Sequence, residues 1–413
     1  MDYKINPDNQ SRWALFVLIL LVTLGKYNIY IGFALKPYIL FLVLFFFIHF
    51  SFFYLQRLHL METGMLLFYL VYSFSGSFSL YPASSLRIII GITLYLLCYF
   101  LMKAIIGNAS REMIEKSIST VGILFNLASL ALYVWGLKSL NFVLAGDSLT
   151  SFGVLMDRDY PRLIGLLEDP NYFVFYNSIF FAYYLCHTGS RKNRFGLALA
   201  VLTSILTFSR GGLLVLILIF VLYIFLLNHQ PIKQLKLVLG SLFTVLLGAY
   251  ILVTFLKFDL YGILEARMND FSKDGGSGRL DLWERAWDVF VSHPLIGIGA
   301  NNFLDYNQSQ FGDTLHVHNT FLEILAESGV VGVFCFLLFV LFVFIQMFQY
   351  RVHCNKPYLF LTFVAYILQM ASLSVIINDM FFLFMAILSV YLYEVNRTPT
   401  MNFYKTGKEA ASL

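Results

Sequence analysis

The chain has 413 residues, of which 59% are hydrophobic and 13% charged; a soluble domain carries about 25% charged residues. With a mean hydropathy of +0.75, it lacks the polar groups to cover a water-exposed surface. A soluble enzyme, a disordered chain and a disulfide-stapled secreted module are thereby excluded. A net charge of +4, from 28 Lys and Arg against 24 Asp and Glu, is too small and scattered to argue for nucleic acid, and the reading that remains is an all-α polytopic integral membrane protein.

A helical crossing needs about 20 mostly apolar residues. Apolar runs occur at 13–25, 38–55, 62–77, 86–106, 117–137, 171–188, 195–208, 211–228, 236–256, 320–348, 358–377 and 380–394. These predict about twelve spans in one membrane domain, 1–413. The first and seventh are short, and the tenth is long enough to begin outside the membrane. The runs are continuous rather than alternating, which argues against a β-barrel. The first run has no small-residue cleavage site behind it and reads as a span, not a leader. Helix breaks at depth are not evident. Residues 395–413 read as a polar tail. The cysteines Cys98, Cys186, Cys335 and Cys354 form no CxxC pair, and three lie in apolar runs, as packed thiols do.

Lys and Arg set the orientation, because cytoplasmic loops collect them. With both termini cytoplasmic, the inside segments hold 16 of the 28 basic residues, including the Arg191–Lys192–Asn193–Arg194 cluster. The two long loops, 138–170 and 257–319, then face the outer side. They carry most of the acids, histidines and arginines that lie away from the cytoplasm, so chemistry is expected at the outer membrane–water interface.

Four segments there carry chemistry-bearing residues. In Thr207-Phe208-Ser209-Arg210-Gly211-Gly212, a charge stands at a tight break between two apolar helices. Such a charge is costly, and a guanidinium fork suits phosphate oxygens; the bland alternative is a snorkelling arginine. In Gly275-Gly276-Ser277-Gly278-Arg279, the arginine follows a glycine-rich loop and opens a predicted amphipathic helix. There Leu280, Trp283, Trp287 and Phe290 recur at helical spacing, Asp281 and Arg285 form an i,i+4 pair, and His293-Pro294 ends the run. A cation at that helix start opposes the helix dipole, which a bound anion would relieve; an exposed loop arginine is the alternative. In His316-Val317-His318-Asn319, Asn319 reads as an N-cap, and Glu323 and Glu327 share the following helix face. A histidine here fits a general base. A zinc site is disfavoured because i and i+2 do not share a helix face and no third histidine stands out. Glu168-Asp169-Pro170-Asn171 reads first as a helix start. The Gly297-Ile298-Gly299-Ala300 run resembles a dinucleotide motif only superficially, with no βαβ unit around it. Two arginines and a histidine on one side suggest chemistry on a lipid diphosphate, whose departing charge needs cations.

The segments GLLEDPNYF (165–173), TFSRGGLLVL (207–216), GSGRLDLWERAWDVFVSHPLIGIGANNF (276–303) and HVHNTFLEILAESGVVG (316–332) together resemble the bacterial O-antigen ligase / O-antigen polymerase superfamily. The resemblance implies transfer of a glycan from undecaprenyl diphosphate to an acceptor hydroxyl at the outer face of the cytoplasmic membrane, with inversion and with neither metal nor cofactor. It implies that Arg210 and Arg279 bind the diphosphate and stabilise its departure, and that His318, rather than His316, activates the acceptor. Asp169, Asn171, His316, Asn319 and Glu327 are the further substrate-binding candidates. The DPN and SRGG segments read like those of capsule and exopolysaccharide polymerases. The implied partners are the lipid-linked donor, a glycan or lipid A–core acceptor, membrane lipid, a chain-length regulator and a flippase. A ligase, a protein O-oligosaccharyltransferase and, in a different class, a lipid-linked oligosaccharide flippase or transporter are the alternatives. A transporter would place ionisable groups along the membrane midplane, not at one edge.

Overall fold

The computed structural model describes residues 7–30, 34–50, 53, 56–141, 149–157, 160–227 and 278–395. The expected span at 236–256, the 257–277 part of the large loop (with Gly275, Gly276 and Ser277) and the tail beyond residue 395 lie outside the described residues.

Within them the chain is mostly helical: α1 (Pro7–Val22), α2 (Pro37–Ile48), α3 (Leu60–Ser75), α4 (Pro82–Gly107), α5 (Arg111–Ser139), α6 (Pro170–Cys186), α7 (Arg191–Leu206), α8 (Arg210–Leu227), α9 (Arg279–Ser292), α10 (Phe303–Phe311), α11 (Thr320–Gln349), α12 (Val352–Asn355), α13 (Pro357–Met370) and α14 (Asp379–Val395). Each predicted apolar run in the described residues coincides with a helix, because a backbone surrounded by apolar groups must satisfy its own hydrogen bonds. Three of these helices, α4, α5 and α11, are long and apolar enough to cross a membrane, and shorter apolar helices accompany them.

The helices pack with their ends in register. Met61 at the start of α3 donates its N–H to Gln346 near the end of α11 (2.8 Å), while Tyr72, near the end of α3, bonds Glu327 near the start of α11. At the α3 start, Lys103 of α4 meets Glu62 at 2.6 Å, with both side chains buried. Helix α6 is deeply enclosed, with 14 of its 17 residues buried, as a helix apolar on every side should be. Phe175 stacks on Tyr366 of α13 at 4.2 Å between ring centres.

Four features depart from the all-α expectation of unbroken spans. The first long loop folds into a small antiparallel sheet, β3 (Leu149–Ser151), β4 (Val154–Asp157) and β5 (Tyr160–Leu163), with Val154 paired to Leu163 and Asp157 to Tyr160. Alternate β4 residues, Val154 and Met156, are buried, the half-buried period that β pairing requires. A second pairing joins two-residue strands β1 (Ile29–Tyr30) and β2 (Ala34–Leu35). The predicted span 358–377 ends as a helix at Met370, and residues 371–378 form an irregular connection. Finally, α11 is broken at Gly329 (φ 64°, ψ −165°). There the irregular turn segment Pro294–Gly299 runs alongside: Ile298 donates to the Ala326 carbonyl (3.1 Å), Gly299 to that of Glu327 (3.0 Å), and Val330 to that of Pro294 (2.9 Å). The GIGA glycines thus serve close backbone approach. A Cβ on Gly297 would collide with the backbone at Glu327 and Ser328, and one on Gly329 with that of Leu295.

Candidate functional site at the converging helix starts

The site is built where the starts of α6, α8, α9 and α11 meet. Asp169 caps α6, accepting from the N–H groups of Asn171 (2.6 Å) and Tyr172 (3.1 Å), with Pro170 as the first helical residue. This is the predicted Asp/Pro/Asn helix start.

The break between α7 and α8 lies beside it. Phe208 adopts a left-handed conformation (φ 50°), an uncommon one for a bulky residue. The Thr207 hydroxyl accepts from the Ser209 N–H (3.1 Å), and the Ser209 hydroxyl accepts from the Gly212 N–H (3.2 Å). Ser209 also donates to Asn171 Oδ1 (2.7 Å), tying the α8 start to the α6 start. Gly212 lies against Val174, where a Cβ would clash. Arg210 is the first residue of α8 and is exposed.

Arg279 opens α9 directly after Gly278, whose left-handed backbone (φ 69°) forms the N-cap. Leu282, Ala286 and Val289 bury one face of α9 against Val317, Ala326, Ile298 and Phe303. Leu280, Trp287 and Val291 are exposed. The predicted stripe is therefore divided: Leu280 and Trp287 face outward, while Trp283 turns in and donates its indole N–H to the Val317 carbonyl (3.1 Å). The predicted Asp281–Arg285 pair is corrected. Arg285 instead bonds Asn307 Oδ1 (2.8 Å) and Asp313 Oδ2 (3.1 Å) and covers the ring of Phe311. These tertiary partners offer a more complete donor match than an exposed i,i+4 pair.

Asn319 caps α11, as its position predicts, accepting from Phe321 (3.1 Å) and Leu322 (3.2 Å). His318 just before it has φ 52°. Its N–H is held by the Ser374 hydroxyl (3.1 Å), and Tyr172 of α6 bonds the Ser374 carbonyl. Thr320 fixes the same 371–378 connection, donating to Leu373 O (2.6 Å) and accepting from the Val375 N–H (2.9 Å). The irregular connection thus braces the His318 backbone.

The two histidines differ. His316 is exposed, and its Nδ1 lies 3.4 Å from Glu323 Oε1; that contact raises its pKa above the usual histidine value. His318 is half-buried, and burial, followed by the positive charge of Arg279, lowers its pKa, against the opposing pull of Asp169. Of the two, His318 is therefore the one whose neutral form is favoured. Burial also pulls the Arg279 pKa below the usual guanidinium value, with Asp169 opposing and the like charges of Arg162 and Arg210 adding to the depression. Arg210, Arg279, His318 and Asp169 are thus linked in one electrostatic neighbourhood at four helix starts, whose N–H groups and dipoles favour an anion.

The remaining candidates spread outward from that centre. Asn171 positions Ser209, and Asn319 caps α11. His316 pairs with Glu323. Glu327 is buried away from the centre, accepting from the Phe303 N–H (3.0 Å) and the Tyr72 hydroxyl, so it joins the 294–303 segment to α3. Among the described residues, no three His, Cys, Asp or Glu side chains converge to hold a metal ion. The sequence reading missed Arg162, Tyr172 and Ser374. Arg162 follows a run of charges (Asp157, Arg158, Asp159) and stands seven residues before Asp169; the β4–β5 hairpin brings Asp157 to it, and the end of α7 presents the Thr207 carbonyl.

No curated protein matches the chain. Residues 195–337 match the family described as O-antigen ligase. The GLLEDPNYF segment lies before that stretch, while Arg210, Arg279 and His318 all lie within it. The chain is thereby similar, over the stretch that bears both helix-start arginines and the histidine, to the O-antigen ligase and polymerase superfamily of membrane glycan-transferring enzymes.

Proposed function

We propose that this protein is an inverting, metal-independent membrane glycosyltransferase. It joins undecaprenyl-diphosphate-linked repeat units into a surface polysaccharide at the outer face of the cytoplasmic membrane. The observation that carries the reading is the pairing of His318, whose neutral form is favoured, with a half-buried arginine, Arg279, beside Arg210 at the head of α6.

In this reading the acceptor hydroxyl gives its proton to His318 as its oxygen bonds the anomeric carbon of the donor. The bond from that carbon to the diphosphate oxygen breaks on the opposite face, which inverts the configuration. Arg210 and Arg279 hold the charge that develops on the departing diphosphate. Burial, followed by the positive charge of Arg279, favours the deprotonated form of His318, so it enters as a base. The polymerase reading within this class rests on the DPN and SRGG segments.

The test is an analysis of surface and carrier-linked glycans in a strain lacking the protein. Loss of the long-chain ladder with single repeat units remaining is the expected result. Long glycans stranded on undecaprenyl diphosphate, with none on lipid A–core, would replace polymerase with ligase. Unchanged glycans would overturn both and favour transport.

A further inference from the structure

Arg162 lies outside every segment that pointed to the site, yet it is bonded into it. It stands on β5, and its side chain is only 13% exposed. The sheet that carries it is fixed to α5. Gly153 donates its N–H to Leu132 O (3.2 Å), the Tyr133 hydroxyl donates to Pro161 O (2.9 Å), and Gly136 offers no Cβ where Ser151 and Val154 pack. From this anchor the guanidinium makes two bonds in different directions: Nη1 to Asp157 Oδ2 (2.7 Å) and Nε to the Thr207 carbonyl (3.0 Å). Asp157 sets the plane of the guanidinium, and the guanidinium holds Thr207.

Thr207 ends α7, so its carbonyl is among those a helix leaves without an internal partner, and a cation is favoured there. The next residue is Phe208 in its left-handed conformation, then Ser209, then Arg210. The turn that delivers Arg210 is therefore gripped from two sides, by Asn171 at Ser209 and by Arg162 at Thr207. A strained turn persists only where its surroundings over-determine it.

We propose that Arg162 is a positioning residue for anion binding, holding the α7–α8 turn so that Arg210 points its guanidinium at a diphosphate. Its work is done by the two-way fork rather than by its charge. A lysine ammonium keeps the charge but is a point donor that cannot reproduce a planar grip on two separated oxygens. The inference rests on the reading of this rim as a diphosphate site, and the test separates the two.

The probe is inorganic pyrophosphate, titrated calorimetrically into the purified full-length protein in detergent, with thermal unfolding followed in parallel. Arg162→Gln and Arg162→Lys are expected to weaken binding by similar factors of about tenfold with the unfolding midpoint little changed. Because Arg162 acts through Arg210, the Arg162→Gln/Arg210→Gln double variant should bind no more weakly than Arg210→Gln alone; such non-additivity is the mark of coupled residues. Additive losses would overturn the inference by making Arg162 an independent anion contact. Full retention of binding in Arg162→Lys would overturn it in favour of a charge effect. Unchanged binding in Arg162→Gln would do so in favour of a purely architectural role, while leaving the diphosphate reading intact. Failure of the unsubstituted protein to bind pyrophosphate would bring down the diphosphate reading itself, and this inference with it.

Discussion

The two ends of the helical bundle treat charge in opposite ways. At the start of α3, Lys103 meets both oxygens of Glu62 (2.6 and 2.8 Å) and donates to the Arg57 carbonyl (3.1 Å), while the Tyr99 hydroxyl and the His59 N–H complete the carboxylate (each 2.6 Å). Each charge there is answered by an opposite charge or a dipole at contact distance. At the heads of α6, α8, α9 and α11, by contrast, Arg279 is half-buried within reach of two further arginines, with Asp169 as the opposing charge. The same side-chain types close a pair at one end, while at the other Asp157 pairs Arg162 and Arg279 stands among like charges with Asp169 opposing. An arrangement that disfavours its own cations is one that an arriving anion relieves, and this difference separates a structural ion pair from a binding site.

The largest expected effect tests that distinction directly. His318→Ala, Arg210→Ala and Arg279→Ala should each reduce glycan transfer at least ~100-fold, the scale of losing a general base or a donor to developing charge. The amount of protein in the membrane should stay at the unsubstituted level. Quantitative blotting of membranes beside glycan analysis of the complemented strain supplies both readings. Normal transfer by all three variants would remove the roles assigned to them.

Lys103→Met should do the reverse. It leaves Glu62 buried without its cation, a change that costs about 3–5 kcal/mol, so the folded protein should fall in amount and in unfolding temperature. Substituting both partners, Glu62→Leu with Lys103→Met, should recover much of that loss, since it is the orphaned charge that destabilises. If Lys103→Met leaves stability unchanged, the contrast between the two ends fails.

Much of the fold was legible because a helix in a membrane must be apolar over its length, and most runs and helices agree to within a few residues, though 38–55 and 358–377 each outlast their helix by seven. The caps Asp169 and Asn319 were legible for a local reason: each bonds N–H groups two or three residues ahead. What was not legible depends on long-range partners. Leu373, Val375, Ile376 and Ile377 read as the end of a helix, but their backbone is held by Thr320, by Tyr172 through Ser374, and by the Tyr69 hydroxyl on Ile376 O (2.7 Å). The break at Gly329 is stabilised by residues 294–299, thirty positions earlier in the chain. Arg162 needs the sheet to bring Asp157 beneath it and α7 to end in front of it. Arg285 likewise exchanged a local acid for Asp313 across a loop. The helix-start arginines and His318 were found because each stands at a break in an apolar pattern; their mutual proximity was not encoded in any window of sequence.

A smaller effect concerns pH. Because burial and Arg279 lower the His318 pKa, its neutral form should persist below the usual histidine value of about 6.5. The transfer rate should therefore rise with pH along an acid limb lying below that value and hold level above it. His316, whose pKa Glu323 raises, predicts a limb on the opposite side of the ordinary value if it were the base. A rate profile measured on the purified protein distinguishes them: a midpoint above the ordinary histidine value would transfer the role to His316.

The smallest effect lies in the backbone beneath His318. Its left-handed conformation is held by one bond, from its own N–H to the Ser374 hydroxyl. Ser374→Ala removes the acceptor without touching the imidazole, Arg279 or Asp169. A single bond of this kind is worth about 1 kcal/mol, so the rate should fall about fivefold. The acid limb should keep its midpoint, because the groups that set the His318 pKa are untouched. A fall in rate with a fixed midpoint would mean that Ser374 aims the base rather than tuning it. A shifted midpoint would mean that the connection at 371–378 controls how deeply His318 is buried, and the contrast between the two ends of the bundle would then extend to the backbone as well as to the charges.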